Sequence, residues 1–379
     1  MSVPEIKELS RAYGFDEVAI EPGEITINPD QTNTEFSVSN HTFKIPIISS
    51  AMDAIGSPEF AGHMEKAGGL SVMNLEGLQT RYSNPTEALS RIINASDNDV
   101  MSVLQEVYSG KIDTNLVGER VQEIKSTGAR CAVSITPAST KKLAALAAEA
   151  GADLVFVQST VTTARHVSKS KRGLIFSELL DLIDIPVIVG NCVSYNVALE
   201  LMGTGIHGIL IGVGPGAACT TREVTGVGVP QVTATLRVSA ARDEYLKQTG
   251  RYVPVITDGG IRTGGDVCKS FVSGADAIMI GSPLAQSEEA PGGGYNWGMA
   301  GPHPRLPRGT RVNVGTQGPL EQILFGPTSK TNGTQNLIGA LEECMGMVGA
   351  FNIREMQKAS MIIAPSIKTE GKHFQMGGR

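Results

Sequence analysis

The sequence has no surplus of positive charge. Its 32 Lys and Arg stand against 38 Asp and Glu, a formal net charge of −6 at pH 7, and no basic block interrupts the mixture. That removes the electrostatic case for binding nucleic acid or an anionic membrane surface. Any phosphate must therefore be held by local loops. No apolar run approaches membrane-spanning length. Cysteine is scarce. The five residues, at 131, 192, 219, 268 and 344, include no pair with CxxC spacing, and their number is odd. A disulfide framework or a zinc site is not expected from such a pattern. Cys131, Cys192 and Cys268 lie in or beside apolar runs and read as core thiols. The opening Met1-Ser2-Val3-Pro4-Glu5 lacks a basic and apolar leader pattern, so the cytoplasm is the expected compartment.

Glycine, by contrast, is abundant at 44 residues, and it punctuates short Val/Ile runs. Eight such runs recur, at 45–52, 70–74, 131–136, 154–159, 187–191, 209–212, 253–258 and 277–282. Helical patterns lie between several of them, at 141–150, 195–203 and 265–274. Near-continuous apolar strands alternating with helices predict a parallel sheet covered on both faces. Eight units predict an α/β fold of the (β/α)₈ TIM-barrel type, with residues 1–379 forming one catalytic domain. The spacing is uneven in two places. The stretch between 74 and 131 is longer than one helix needs, and so is the stretch between 212 and 253. After the eighth run, 288–318 is dense in Gly and Pro and is expected to be a mobile flap. Closing helices are expected over 337–346 and 353–359.

Barrel enzymes place their chemistry where the strands end, on the C-terminal face. The sixth run ends in Gly212-Val213-Gly214-Pro215-Gly216-Ala217-Ala218-Cys219-Thr220-Thr221-Arg222. Glycines permit the positive-φ conformations that gather N–H groups into a nest, and a nest favours the nucleophilic thiolate. The alternative is a small core residue in a tight loop, but the glycines and the Thr-Thr-Arg that follow favour catalysis by Cys219. Asp258-Gly259-Gly260 puts a carboxylate, suited to a ribose diol, beside two unhindered N–H groups suited to phosphate. Gly281-Ser282 adds another N–H and a hydroxyl. Loops after the seventh and eighth strands commonly bind phosphate. Together these parts describe a 5′-nucleotide or flavin mononucleotide site beside a reactive thiol. Asn191 either holds the substrate, orders the Cys219 loop, or is a structural amide. Tyr295, Trp297 and Met299 either cover a flat base or pack the flap. His303, Arg305 and Arg308 are the flap's ionisable candidates, while Glu288 and Glu289 read as surface charges.

These residues resemble the IMP dehydrogenase/GMP reductase family. The matching phrases are the long run from Gly212 to Gln231, Ser49-Ser50-Ala51-Met52-Asp53, Val255 to Ile261, Ile280 to Ala285 and Gly14-Phe15-Asp16-Glu17-Val18. The resemblance covers most of the chain and implies a mechanism. Cys219 would attack C2 of IMP, NAD would take the hydride, and water would hydrolyse the thioimidate to XMP on the route to guanine nucleotides. Asp258 would bind the ribose. Gly260, Gly281, Ser282 and Tyr295 would bind the phosphate. Ser50, Met52 and the Gly298-Met299 pair would meet the base. Thr221 matches the family's catalytic Thr. The carbonyls of Gly214, Gly216 and Cys219 match its potassium site, which a neighbouring subunit of a homotetramer completes; Glu370-Gly371-Lys372 is a loose match for that tail.

The chain also departs from the family pattern. Ala217 replaces a serine. The flap lacks the Arg-Tyr pair that activates water, and Arg308 stands where an acidic or amide residue is expected before Gly309. Gln158, followed by Ser159, replaces an Asp at the nicotinamide contact. No regulatory CBS domains fit in the widened 74–131 stretch, which resembles the CBS-less branch called IMP dehydrogenase-like. Ala51, Glu223 and Val229 favour the dehydrogenase over the reductase, which usually has Asn, Lys and Tyr there. A catalytically silent nucleotide sensor and a flavin oxidoreductase remain as alternatives.

Overall fold

The computed structural model describes residues 8–167, 174–298 and 302–367. Eight parallel strands close into a barrel. They are β1 (Ile47–Ser49), β2 (Leu70–Asn74), β3 (Ala132–Ile135), β4 (Leu154–Gln158), β5 (Val187–Cys192), β6 (Gly208–Ile211), β7 (Val255–Asp258) and β8 (Ala277–Ile280). Each pairs with the next, and β8 closes on β1 through Ile278 opposite Ile47 and Ile280 opposite Ser49. This is the (β/α)₈ TIM-barrel fold expected from the eight apolar runs.

The runs are continuous rather than alternating because both strand faces are buried. Ile48, Val72, Ala132, Phe156, Ile188, Leu210, Ile256 and Met279 fill the barrel interior. Phe36, Val38 and Phe43 join this cluster from a hairpin (Phe36–Val38 paired with His41–Phe43). The alternate residues, among them Val133, Val155, Val189 and Ile209, pack outward against helices. The helices expected over 141–150, 195–203 and 265–274 form at Thr140–Glu149, Tyr195–Gly203 and Gly264–Val272. Gly274 ends the last of them at φ 106°, where a Cβ would stand 2.4 Å from Ser239 Cβ. The closing helices form at Leu337–Val348 and, more briefly than expected, Ile353–Met356.

The long stretch after β2 holds three helices, α1 (Thr86–Asn94), α2 (Val100–Tyr108) and α3 (Thr114–Ser126). Only α3 lies among the barrel's own helices, contributing Val117, Val121 and Ile124 to the core around β3 and β4. The pair α1–α2 is an insertion, and its apolar face joins a different core with Phe60, Trp297 and Leu284. The flap segment is more ordered than its composition suggests, for Tyr295–Trp297 pairs antiparallel with Arg311–Asn313.

At the start of β7 and β8 a buried ion pair ties three elements together. Arg242 Nη1 lies 2.9 Å from Asp276 Oδ2, with both side chains buried. The same carboxylate accepts from Val255 N at 2.8 Å and from Gln357 Nε2 at 3.0 Å. Removing one member of such a pair strands its partner's charge. Asp276→Ala is therefore expected to destabilise the fold by about 3–5 kcal/mol, read as a lower urea midpoint; an unchanged midpoint would remove the pair from the barrel's supports.

Candidate active site

The C-terminal ends of the strands open into a cavity of about 910 Å³. Cys219 lines it, and among the described residues it is the one cysteine that does. Burial pushes the thiols of Cys131 and Cys192 up to about 12, in keeping with inert core residues.

The loop that carries Cys219 is shaped by glycine and arginine together. Gly212 leaves β6 at φ 143°, and a Cβ there would lie 2.4 Å from the Asp258 carbonyl oxygen. Only glycine lets the loop pass so close to the end of β7. Gln231 Nε2 then joins the two strand ends, donating to Ile211 O at 2.8 Å and Asp258 O at 3.0 Å. Arg222 fills the inside of the loop: Nε donates to Val213 O at 3.1 Å and Nη2 to Val229 O at 2.7 Å. Burial lowers the Arg222 pKa, while the neighbouring Cys219 and Glu223 oppose that shift. Cys219 Sγ donates to Thr221 Oγ1 at 3.1 Å. Thr221 is itself buried.

The flap returns over the loop and pairs with it. Cys219 and Gly309 form an antiparallel bridge. Thr220 N donates to Arg308 O at 3.1 Å, and Thr310 N donates to Ala218 O at 3.0 Å. Arg308 lines the cavity, but its guanidinium does not meet Thr221. Nη1 crosses to Thr160 Oγ1, 3.4 Å away on the loop after β4. His303 also lines the cavity, and its Nδ1 accepts from Leu306 N at 3.2 Å.

Opposite the thiol, Asp258 Oδ2 accepts from Asn191 Nδ2 at 2.7 Å. Burial pushes the Asp258 carboxyl up to about 6, and the Asn191 hydrogen bond pulls it partly back. Gly259 and Gly260 follow at φ 83° and 80° and pack on Pro215 of the cysteine loop. Gly281 and Ser282 begin the next loop, with Met52 and Ser50 against Gly281. The structure thus gathers Ser50, Met52, Gln158, Ser159, Asn191, Gly214, Gly216, Cys219, Asp258, Gly260, Gly281, Ser282, Gly298 and Arg308 around one cavity. Met299 and the Glu370-Gly371-Lys372 tail lie outside the described residues.

Two expectations are displaced. Tyr295 and Trp297 are not among the residues lining this cavity. Arg311 covers the Tyr295 ring at 4.5 Å, and Trp297 is buried with Nε1 donating to Tyr108 OH at 2.9 Å. Strand alternation turns the intervening Asn296 inward instead. Its Nδ2 reaches Ser282 Oγ at 3.5 Å, and its buried Oδ1 has no partner. A buried polar atom without a partner at a cavity wall is available to a ligand. The period of two along Tyr295-Asn296-Trp297 was the signal for this residue. Glu289 is also not a free surface charge, since its Oε2 accepts from Leu320 N at 2.8 Å.

The arrangement combines a nucleophile, a carboxylate able to accept from a diol, and glycine N–H groups able to face an anion. The family model of the IMP dehydrogenase/GMP reductase domain matches residues 12–310. The chain belongs to that family. An uncharacterized oxidoreductase of Mycobacterium leprae is 36% identical over 363 residues, covering 93% of this chain and 97% of its own. The inosine-5′-monophosphate dehydrogenase of Cryptosporidium parvum is 28% identical over 401 residues, covering 96% of this chain and 94% of its own. The crystal structure of an IMP dehydrogenase/GMP reductase-like protein from Corynebacterium glutamicum superposes with a TM-score of 0.90 at 35% identity, covering 96% of this chain and 97% of that one. Among the described residues no helix is long and apolar enough to cross a membrane.

The raised Asp258 carboxyl carries a stability consequence. It holds its proton up to about 6 in the folded protein, against 3.8 ordinarily. Its contribution therefore favours folding at low pH and is lost as pH rises through about 6. Asp258→Asn is expected to gain about 1–3 kcal/mol of stability at pH 7.5, a gain that fades toward pH 4. Urea unfolding at both pH values measures it, and an equal gain at both would refute a carboxylate destabilised by desolvation.

Proposed function

We propose that this oxidoreductase is an NAD-dependent IMP dehydrogenase, acting in guanine nucleotide biosynthesis through a covalent Cys219 intermediate. The observation that carries the reading is Cys219 lining one cavity with Asp258, its Sγ 3.1 Å from Thr221 Oγ1 in the wall behind. The Cys219 thiolate adds to C2 of the purine. NAD⁺, held beside the purine, would supply the oxidising power by accepting the C2 hydride, which would leave a thioimidate on Cys219. Water then adds to C2 and expels the thiolate, giving XMP.

Asp258 accepts from the ribose hydroxyls while Asn191 holds its other side. Gly260, Gly281 and Ser282 meet the phosphate, and the unpartnered Asn296 Oδ1 accepts from a hydroxyl or ring N–H nearby. Ser50, Met52 and Gly298 bound the base. Past the thiol the cavity continues to Asn74, Thr136, Gln158 and Ser159, which supports room for nicotinamide beside the purine. Gln158 is already engaged by Ser134 Oγ at 2.7 Å, so it offers the cofactor an amide in place of the expected carboxylate. Among the described residues no three His, Cys, Asp or Glu side chains gather around a common point. The family resemblance implies a monovalent cation on the carbonyls of Gly214, Gly216 and Cys219, the donor type that potassium takes. The Gly216 oxygen accepts from Cys219 N at 3.1 Å and keeps a second lone pair. A homotetramer in which a neighbouring tail completes this site is part of the same reading.

The Arg308 guanidinium is a set of N–H donors with no acceptor, which does not suit it to serve as a base. Its reach from the cysteine loop to Thr160 suits it instead to orient water and to stabilise developing negative charge.

Three outcomes test the proposal. Purified protein should form XMP from IMP and NAD⁺ and should leave GMP with NADPH unchanged; the reverse preference would make it a GMP reductase. Cys219→Ala should bind IMP within about threefold of wild type and lose turnover by 10³-fold or more; near wild-type XMP formation would exclude the thioimidate. Arg308→Ala should slow hydrolysis more than hydride transfer, seen as a burst of NADH and an accumulated protein adduct by mass spectrometry. A variant without a burst at an unchanged steady-state rate would free Arg308 of that role.

A further inference from the structure

The α1–α2 insertion is not needed to close the barrel, yet the flap is fastened to it at two points. The first is Arg311. Its side chain is only 4% exposed, and Nη1 donates to the carbonyls of Ile92, Ile93 and Ala95 at 2.7, 2.9 and 2.9 Å. These are carbonyls at the C-terminal end of α1, which the helix cannot satisfy itself. A guanidinium there also meets the negative end of the helix dipole. Nη2 reaches Asp97 at 2.9 Å, but Asp97 is fully exposed, so the carbonyls carry the attachment. The second point is a part-buried chain of hydrogen bonds. Trp297 Nε1 donates to Tyr108 OH at 2.9 Å, and Tyr108 OH donates to Asp53 Oδ2 at 2.6 Å.

Arg311 and Trp297 face each other across the flap hairpin, so both attachments act on one rung. From Trp297 one step leads to Asn296, whose amide stands against Ser282. From Arg311 two steps lead to Gly309, which pairs with Cys219. We infer that Arg311 is a positioning residue: anchored on α1, with the Tyr108 chain beside it, it sets the register of the flap against the Cys219 loop. The hairpin has three residues in each strand, too few to hold a register alone. What the inference says of the kinetics rests on the dehydrogenase reading; what it says of the flap does not.

The test separates the two. In the free protein, Arg311→Lys ends its shorter side chain before the Nη1 position that meets all three carbonyls and loses the rigid planar group that holds it there. Hydrogen exchange at the Thr220 and Thr310 amides, which form the two flap–loop bonds, should accelerate by about tenfold or more, with exchange in the β5–β6 core unchanged. Tyr108→Phe, which keeps the ring and removes only the hydroxyl, should accelerate the same amides by a smaller factor. With IMP and NAD⁺, both variants should lose kcat by several-fold while overall unfolding stays cooperative. Unchanged exchange at Thr220 and Thr310 in both variants overturns the positioning role, whatever the activity. So does acceleration spread evenly through the barrel, which would mark a merely structural support. If Arg311→Lys does not fold, the Tyr108→Phe result decides alone. A wild-type protein inactive on IMP overturns the dehydrogenase reading and leaves the exchange result standing.

Discussion

Two backbone hydrogen bonds, Thr220 N–H to Arg308 C=O and Thr310 N–H to Ala218 C=O, hold the reactive loop in place. They flank Cys219 on both sides. Arg222 fills the loop from inside, but the glycines lose more freedom on ordering than any other residue. The strand-like contact with the flap supplies the missing restraint. Everything the thiol needs is then placed by reference to it: Thr221 follows directly, Pro215 packs against the Gly259-Gly260 turn, and Arg308 is carried to Thr160 on the far wall.

The site also concentrates charge that is poorly solvated. Asp258 and Asp53 are both pushed up to about 6, chiefly by burial. Each has hydrogen-bond donors that pull the other way, Asn191 for Asp258, and Tyr108 and Leu78 for Asp53. The compensation is incomplete in both. Asp53 lies beneath the flap's anchor and Asp258 lies at the cavity wall, so one unfavourable carboxylate belongs to the scaffold and one faces the ligand. A carboxylate kept short of partners has more to gain from a hydroxyl pair than one already satisfied.

Much of this was legible along the chain because strands buried on both faces announce themselves as unbroken apolar runs. All eight runs became barrel strands, and the cavity-lining residues at their ends came with them. The flap was harder. Its composition is Gly and Pro, and its strands are three residues long, so the period of two at Tyr295-Asn296-Trp297 spans a single alternation. Tyr295 and Trp297 look like base-covering aromatics until Tyr108 and Arg311 are placed behind them, and Tyr108 lies 189 residues away from Trp297. Arg308 was found as a site residue, but its partner Thr160 was not, for the same reason of distance. Arg222 looked like part of the catalytic phrase and proves to be the filling of its loop. In each case the residue type was visible and its neighbour was not.

The placement of α1 and α2 has a further meaning for how such a barrel is modified. Their connecting turn, around Ser96 to Asp99, is exposed on the outside, while the end of α1 grips the flap through Arg311. A displacement of that turn would be carried through Arg311 to the flap that pairs with Cys219. Sequence spliced into that turn would need no path through the barrel wall to be felt at Cys219. The barrel strands could stay untouched while the insertion varied in length and content.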